Sequence, residues 1–314
     1  MERIPCIVVT GFLGSGKTTL LKNLLDHWPE SIRIGLVQNE FAASGCDSYE
    51  LRTSVRPFEL MEINGGSVFC VCRLGIFVEQ LTAFVQQREP DVVIVEASGL
   101  SDPLAVTEVL TSGELSGHIR LQQVWTVVDS LNYLRMENLM SMIRHQILVA
   151  DTVLLNKTDL VAEPGLKALR EHIGRLNPLA QIAETRYCNA DPGWLLDVAM
   201  RNTPGHQKSD HIHREVGKTG YGHLRPDVGV GILRTGIRIS ESALRNFLRD
   251  ESNNTYRIKG WAAISDGRML SVQTCPGQVF IGDSGQKPGR TELVAIGPDL
   301  DLRTFSKHFR SFAE

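Results

Sequence analysis

The sequence lacks several features that would assign it to a specialised class of protein. Its 314 residues include six cysteines and 6% aromatic residues. Thiols this sparse do not form a disulfide framework, and in such a chain they are usually core residues or metal ligands. No apolar run approaches about 18 residues, and the N-terminus has no apolar stretch that ends in a cleavage site, so neither a membrane span nor a signal peptide is expected. We therefore predict a cytoplasmic protein.

Positive and negative charges are also nearly balanced. The formal net charge at pH 7 is −3, so no basic field favours nucleic acid as a partner. Hydrophobic residues make up 42% of the chain and charged residues 22%, which is typical of a globular protein with a buried core. A length of 314 residues favours two domains.

The first part of the chain, residues 1–201, alternates short apolar runs with helical patterns. Strands are predicted at Ile4–Thr10, Arg33–Gln38, Asp91–Ala97, Val124–Val128 and Thr152–Leu155. Helices are predicted at Lys17–Trp28, Leu74–Glu89 and Leu139–Ala150. Strands that are apolar on both faces and alternate with helices predict an α/β domain with a mainly parallel sheet covered by helices.

The pattern changes after residue 201. Residues 202–227 are rich in Gly, His, Lys and Asp and have little apolar periodicity, which indicates a linker or a long loop. Residues 228–314 begin with a predicted strand at Val228–Ile239, and further strand-like runs follow a helix candidate at Glu241–Asp250. A final short helix is predicted near Leu302. We expect a small α+β second domain here.

A phosphate-binding pattern follows the first predicted strand. Residues Gly11–Thr18 read GFLGSGKT and fit G-x-x-x-x-G-K-[ST], with a strand before them and a helix after them, which disfavours a chance glycine-rich turn. The glycines let backbone N–H groups face phosphates, and the helix N-terminus adds a favourable dipole. Lys17 is expected to reach the β- and γ-phosphates, and the Thr18 hydroxyl to bind Mg²⁺. The predicted phosphate-binding residues are Gly11, Gly14, Ser15, Gly16, Lys17, Thr18 and Thr19.

A guanine-reading pattern follows a later strand. Residues Asn156–Asp159 read NKTD. An Asp carboxylate there accepts hydrogen bonds from the guanine N1–H and 2-amino groups, a donor pair that adenine does not offer. The four letters alone also fit a solvated turn, but beside a phosphate-binding loop they predict GTP, bound by Asn156, Lys157 and Asp159.

Glu96 stands at the end of the apolar run Asp91–Val95. The carboxyl ends of parallel strands form the ligand edge of a sheet, so this carboxylate is predicted to contact Mg²⁺, directly or through water, and to act in hydrolysis. A carboxylate that is simply solvated at a strand end is the alternative.

Two cysteines, Cys70 and Cys72, lie at C-x-C spacing in the segment NGGSVFCVCR. Such a pair can ligate one soft or borderline ion, although further ligands are needed to complete a tetrahedral site. Two small buried residues on opposite sides of an extended segment are the alternative.

Five segments together resemble the CobW-type metallochaperone GTPases, which are related to the GTPases that help insert nickel into urease and hydrogenase. The segments are GFLGSGKTTLL, VQNEF, NGG-x-x-x-CVC, EASGLSDP and NKTDL. Lys259–Trp261 (KGW) and the stretch from Ala295 to Leu302 are similar to the C-terminal domain of that family. The resemblance implies a P-loop GTPase domain followed by a CobW C-terminal-like α+β domain.

The resemblance also implies that a transition metal binds in a nucleotide-dependent way and passes to a client metalloprotein. Zn²⁺ is the expected metal, with Co²⁺ and Ni²⁺ as the alternatives. Cys70 and Cys72 are the implied thiol ligands. Glu40 is a further candidate, either as a metal ligand or as a catalytic residue that positions the attacking water, and Cys46 is an additional candidate thiol. The protein is expected to act as a monomer or as a nucleotide- or metal-dependent homodimer.

Two positions depart from the family pattern. Arg73 stands where the family usually has a third cysteine, and Ala42 stands where it usually has glycine. Arg73 can contact the γ-phosphate or a carboxylate, or it can be solvated. The linker histidines His206, His211, His213 and His223 suit Zn²⁺, Ni²⁺ or Co²⁺, and a solvated polar loop is their alternative role.

Two other functions remain open. One is a GTPase that activates or assembles a metalloenzyme with weakened or lost metal binding of its own, which Arg73 favours. The other is a metabolic P-loop kinase, which NKTD disfavours because such kinases usually use ATP. A GTPase with the metallochaperone function or the activator function is expected to hydrolyse GTP slowly without a partner, because no arginine in the motifs is an obvious catalytic finger.

Overall fold

The computed structural model describes residues 3–39, 58–63, 74–99, 101–111, 113, 115–137, 141–200, 228–275, 278–284, 289–298 and 300–313. These residues divide into two compact units, the first built mainly from the chain before residue 201 and the second mainly from the chain after residue 225. The predicted linker, residues 202–227, lies outside the described residues, and the domain boundaries at residues 201 and 228 stay a prediction.

The first unit contains a seven-stranded sheet in the order β3-β2-β4-β1-β5-β6-β7. Its neighbouring strands all pair in parallel. The strands are β1 (Ile4–Thr10), β2 (Ile34–Asn39), β3 (Glu59–Ile63), β4 (Val92–Glu96), β5 (Ile119–Asp129), β6 (Thr152–Asn156) and β7 (Gln181–Glu184). Strands β2, β3 and β4 lie on one side of β1, and strands β5, β6 and β7 lie on the other. The carboxyl end of β1 is therefore a topological switch point, where ligands bind.

Helices connect these strands and cover both faces of the sheet. They are α1 (Lys17–His27), α2 (Leu74–Arg88), α3 (Pro103–Thr111), α4 (Leu115–His118), α5 (Tyr133–Glu137), α6 (Ser141–Val149), α7 (Glu163–Leu176) and α8 (Pro192–Met200). Side chains along β5 point alternately to the two faces of the sheet. Trp125 packs in one core with α1 and α8, and its ring meets Trp28 edge-on at 6.4 Å, whereas Val128 packs in the other core with α6 and α7. This double burial is why the strands are apolar on both faces.

The second unit is a five-stranded antiparallel sheet in the order β11-β10-β9-β12-β8. The strands are β8 (Val228–Thr235), β9 (Arg257–Ala263), β10 (Met269–Cys275), β11 (Gln278–Asp283) and β12 (Thr291–Pro298), with helices α9 (Glu241–Glu251) and α10 (Leu302–Ser311). Both helices begin at side-chain caps, Ser240 and Asp301, whose oxygens accept first-turn N–H groups. Phe247 of α9 meets Phe305 and Phe309 of α10 edge-on within the core, which fixes the two helices together.

The α/β class, the parallel sheet and the additional α+β unit are confirmed. The predicted strand Val228–Ile239 was too long, because the chain turns after Thr235 and the Thr235 hydroxyl accepts a hydrogen bond from the Ile237 N–H. The prediction for β5 was too short, since polar residues from Arg120 to Gln123 interrupt the apolar run. The edge strand β7 (QIAE) has no apolar run and was missed.

Within the ranges that the structure describes, no helix has both the length and the apolar content that crossing a bilayer requires.

One glycine of the second unit stands at a place where no side chain fits. Gly260 in β9 has φ 147°, and a Cβ added there would overlap the backbone carbonyl oxygen of Glu292 in β12. We predict that Gly260→Ala lowers the local free energy of unfolding of this strand pair by about 3 kcal/mol, because the strands must separate. Hydrogen exchange of the β9 and β12 amides measures it.

Gly267→Ala is the matched control for this prediction. Gly267 also has a positive φ of 95°, but a Cβ there meets no atom within 4 Å. It should cost only about 1 kcal/mol of backbone strain. Equal losses of protection in the two variants would contradict the steric explanation.

Candidate functional site

The predicted phosphate loop joins the carboxyl end of β1 to α1. Gly11, Gly14 and Gly16 all have positive φ, of 143°, 71° and 111°. At Gly16 an added Cβ would lie 2.6 Å from the Asn156 amide nitrogen and 2.8 Å from the Cys188 sulfur. Glycine is therefore required there both by the backbone conformation and by the close approach of two other segments.

The loop leads into the first turn of α1. Leu20 is the residue whose N–H bonds back to the Gly16 carbonyl, at 2.9 Å. The first N–H groups of an α-helix have no acceptor within the helix itself and face outward at its amino end. Together with the helix dipole, these groups form a binding site for an anion such as phosphate.

Lys17 is buried and extends over the phosphate loop. Its Nζ donates hydrogen bonds to the carbonyl oxygens of Gly11 at 3.0 Å and Phe12 at 3.5 Å. The ammonium group is thus held on the inner side of the loop, where it can neutralise a phosphate oxygen.

The buried carboxylate of Glu96 brings together three strand or helix ends. It accepts a hydrogen bond from the Thr18 hydroxyl at 3.3 Å and from the Gln38 amide at 2.8 Å. Gln38 and Glu96 are paired in register at the ends of β2 and β4, so the strand alignment itself sets this contact. The structure brings Thr18 and Glu96 together, and their role as Mg²⁺ ligands stays a prediction. Gln38 was missed, although it ends the predicted strand Arg33–Gln38 at the ligand edge of the sheet.

Asn156 joins the guanine motif to the phosphate loop. Its amide nitrogen donates to the Ser15 carbonyl at 2.8 Å, and its amide oxygen accepts from the Cys188 N–H at 2.8 Å and the Thr185 hydroxyl at 3.3 Å. The side chain is 3% exposed, so a lost partner would remain unsatisfied in the interior. The two sequence motifs therefore form one site.

The segment Thr185–Asn189, between β7 and α8, is a third part of the site that the sequence motifs did not reveal. Cys188 donates its thiol to the Gly16 carbonyl at 3.1 Å, and the Thr185 carbonyl accepts from the Thr158 hydroxyl at 3.1 Å. Tyr187 and Cys188 both have φ 53°, which costs about 1 kcal/mol or more for each. Neither residue type signals such a backbone, and the strand that precedes the segment, β7, has no apolar run that would mark its position.

Lys157 and Asp159 follow Asn156 in the guanine motif. Lys157 has φ 61°, and its Nζ lies 2.7 Å from the Asp129 carboxylate at the end of β5. Burial alone would raise the pKa of Asp129, but hydrogen bonds from Lys157 and Asn132 outweigh it and hold the pKa below its ordinary value. Asp159 lies in a short 3₁₀ turn, Thr158–Leu160, with its side chain exposed. Its carboxylate is accessible to a pair of donors.

The predicted transition-metal ligands are not part of this geometry. Glu40, Cys46, Cys70, Cys72 and Arg73 lie outside the described residues, as do the linker histidines His206, His211, His213 and His223. Among the described residues no group of three or more His, Cys, Asp or Glu side chains is arranged to hold a metal ion.

A parallel sheet with a phosphate-binding loop after its central strand defines a P-loop nucleotide-binding protein. Residues 5–184 match the family model described as CobW/HypB/UreG, nucleotide-binding domain, and residues 232–313 match the cobalamin synthesis protein cobW C-terminal domain. The chain belongs to the CobW family, as its sequence motifs predicted.

Relatives with similar sequences span all or part of the chain. It is 27% identical to the zinc chaperone CobW of Sinorhizobium sp, over 95% of this chain and 94% of the relative. It is 32% identical to the zinc-regulated GTPase metalloprotein activator 1 of Schizosaccharomyces pombe, over 61% of this chain and 48% of the relative. The crystal structure of the Zn(II)-bound YjiA GTPase from E. coli shares the fold, with a TM-score of 0.66, 20% identity and 99% of each chain covered.

The contacts of Asn156 generate a prediction about the thiol beneath it. Burial raises the pKa of Cys188 to about 12, so its thiol is un-ionised and unreactive near neutral pH. Asn156→Ala removes the acceptor of the Cys188 N–H and should free this strained segment, which exposes the thiol and lowers its pKa. We expect alkylation of Cys188 by iodoacetamide at pH 8 to accelerate by about tenfold or more.

Site-resolved peptide mass spectrometry distinguishes Cys188 from the other thiols. Cys6 is the internal control, since it is buried in β1 and burial raises its pKa to about 12 as well. Its alkylation should not change. Acceleration at both cysteines would indicate general unfolding and contradict the local role of Asn156.

Proposed function

We propose that this protein binds and hydrolyses GTP and that its nucleotide state controls the binding of a transition metal. Zn²⁺ is the favoured metal, and the protein delivers it to a client metalloprotein. The observation that carries the nucleotide part is the side chain of Asn156, which bonds to the phosphate loop while leading directly into Lys157 and Asp159. The metal part is supported by the relatives named zinc chaperone and zinc-regulated GTPase metalloprotein activator.

Guanine selectivity follows from the placement of Asp159. Its exposed carboxylate stands three residues after Asn156, whose side chain is held by hydrogen bonds, and can accept hydrogen bonds from the N1–H and 2-amino groups of guanine. Adenine offers no such pair of donors, and a carboxylate held against it would lose its hydration without compensation. GTP is therefore the substrate that this site favours over ATP.

Hydrolysis is supported by the charges around the phosphate loop. Lys17 neutralises the β- and γ-phosphates, and the first-turn N–H groups of α1 bind their oxygens. The Thr18 hydroxyl and the Glu96 carboxylate, 3.3 Å apart, are hard oxygen ligands that fit Mg²⁺, which supplies further neutralisation of phosphate charge when bound. Gln38 orients Glu96 through its amide. Glu40, two residues beyond Gln38 in the sequence, is the proposed residue for positioning water.

The cargo metal is assigned to thiols because of their chemistry. Cys70 and Cys72 supply soft ligands that suit Zn²⁺, with Co²⁺ and Ni²⁺ next, and Glu40 and Cys46 are candidates to complete the set. GTP binding would order these segments and form the site, and hydrolysis would loosen it and release the metal. Such coupling is reciprocal, so the metal must also strengthen GTP binding.

A second function is favoured by one residue. Arg73 occupies the position of the usual third cysteine, which leaves fewer thiol ligands in this chain. The same GTPase domain would then activate or assemble a metalloenzyme with weakened or lost metal binding of its own.

The nucleotide assignment predicts a change of base preference. Asp159→Asn should weaken GTP binding by about a hundredfold, since the carboxylate no longer pairs with the N1–H and 2-amino groups, and should improve binding of XTP, whose 2-oxo group accepts from the new amide. Fluorescence titration with labelled, non-hydrolysable analogues of GTP and XTP measures both affinities. Parallel losses for the two nucleotides would show that Asp159 does not read the base.

The metal assignment predicts a coupling between the two ligands. With Mg²⁺ and GTP-γ-S present, the protein should bind Zn²⁺ at least about tenfold more tightly than with GDP, which corresponds to ~1.4 kcal/mol of coupling. Competition titration with a chromophoric chelator measures the affinities, and the difference should vanish in the Cys70→Ser, Cys72→Ser double variant.

Cys275→Ser, in the second unit, is the matched control and should leave the coupling unchanged. Equal Zn²⁺ affinity in the two nucleotide states would rule out the switch. Client activation that survives the double cysteine variant would favour the activator function over metal delivery.

A further inference from the structure

The ion pair between Lys157 and Asp129 is not accounted for by the sequence motifs. Asp129 ends β5 and is paired in register with Asn156, the last residue of β6. Its Oδ2 lies 2.7 Å from the Lys157 Nζ, and the two side chains are only 16% and 32% exposed. This partial burial reduces screening by solvent, so the pair is better placed to hold a fixed geometry than a surface ion pair.

The Asp129 carboxylate is itself held in place. Its Oδ1 accepts hydrogen bonds from the N–H groups of Leu131 at 3.0 Å and Asn132 at 3.3 Å. Its Oδ2 accepts from the Asn132 side-chain amide at 3.1 Å in addition to Lys157. The acceptor that Lys157 meets is therefore preorganised by the turn after β5.

Lys157 is fixed at both ends as a result. Its backbone is in the left-handed region and begins the 3₁₀ turn that carries Asp159, while its ammonium group is anchored at the end of the neighbouring strand. The four-carbon stem between them is confined to the ligand edge of the sheet, two residues before the carboxylate proposed to read guanine. A free lysine stem would instead sample many rotamers.

We propose that Asp129 is a positioning residue for guanine recognition, which acts by holding the Lys157 stem as an apolar wall against one face of the base. The inference rests on the proposed GTP binding and concerns the residue that holds Lys157 in place. Asp159 distinguishes the edge of the base, whereas the stem packs on the face that all purines share. Loss of the wall should therefore weaken every purine nucleotide that the site accepts to the same degree.

Asp129→Asn separates this role from a purely structural one. The substituted side chain keeps an Oδ1 that can accept from the N–H groups of Leu131 and Asn132, which hold the turn, but an amide nitrogen replaces the oxygen that accepts from Lys157 and from the Asn132 side chain. We expect the dissociation constants of GDP and IDP to rise by about fivefold each, so that their ratio stays unchanged. Isothermal titration calorimetry of the full chain measures both.

Asp91→Asn is the matched control. Asp91 also forms an ion pair, with Arg33 at 3.1 Å, but both residues immediately precede the amino ends of their strands, away from the ligand edge. This variant should bind GDP and IDP with wild-type affinity.

A double-mutant cycle tests whether Asp129 acts through Lys157. Lys157→Met keeps an apolar stem but removes the ammonium group, so it should weaken GDP by a similar factor, and Asp129→Asn should have no additional effect in its background. If Asp129→Asn does not fold, Lys157→Met alone carries the test, and wild-type affinity in that variant overturns the proposal.

The possible outcomes separate the inference from the function on which it rests. Wild-type GDP affinity in Asp129→Asn, or an undiminished loss in the Lys157→Met background, would overturn the role of Asp129 and leave the proposed function standing. Failure of the wild-type chain to bind GDP at all would contradict the proposed function itself.

Discussion

The side chain of Asn156 is the contact on which the rest of the candidate site depends. It bonds to the phosphate loop through Ser15 and to the segment after β7 through Thr185 and Cys188. Gly16 is squeezed between Asn156 and Cys188 and admits no side chain. Because a buried amide that loses a partner is costly, the Gly11–Thr18 loop and the NKTD segment are constrained to one mutual geometry.

The end of the candidate site around Glu96 depends on strand register in the same way. Glu96 is buried, and an isolated buried carboxylate would be strongly destabilising. Thr18 of α1 and Gln38 of β2 donate hydrogen bonds to it, and the parallel pairing of β2 with β4 places Gln38 beside Glu96 at the same edge. The sheet therefore presents a hydroxyl and a carboxylate together beside the phosphate loop, ready for a hard divalent cation.

The metal-handling part of the proposal rests on different residues. Cys6 and Cys188, whose side chains are buried and whose pKa values burial raises to about 12, are poor ligands near neutral pH because metals bind the thiolate. Among the thiols, Cys70 and Cys72 therefore remain the principal candidates, with Arg73 as the residue that distinguishes delivery from activation.

The sequence by itself determined the parallel α/β sheet, the second α+β unit, the phosphate loop, NKTD and the family, because each leaves a local pattern of apolar runs or fixed spacings. Only the tertiary structure revealed Gln38 beside Glu96, Cys188 beneath Gly16 and Asp129 beside Lys157. These partners are 28 or more residues apart in the chain. They meet because parallel strands end at a common edge, and that alignment depends on packing that no short stretch of sequence encodes.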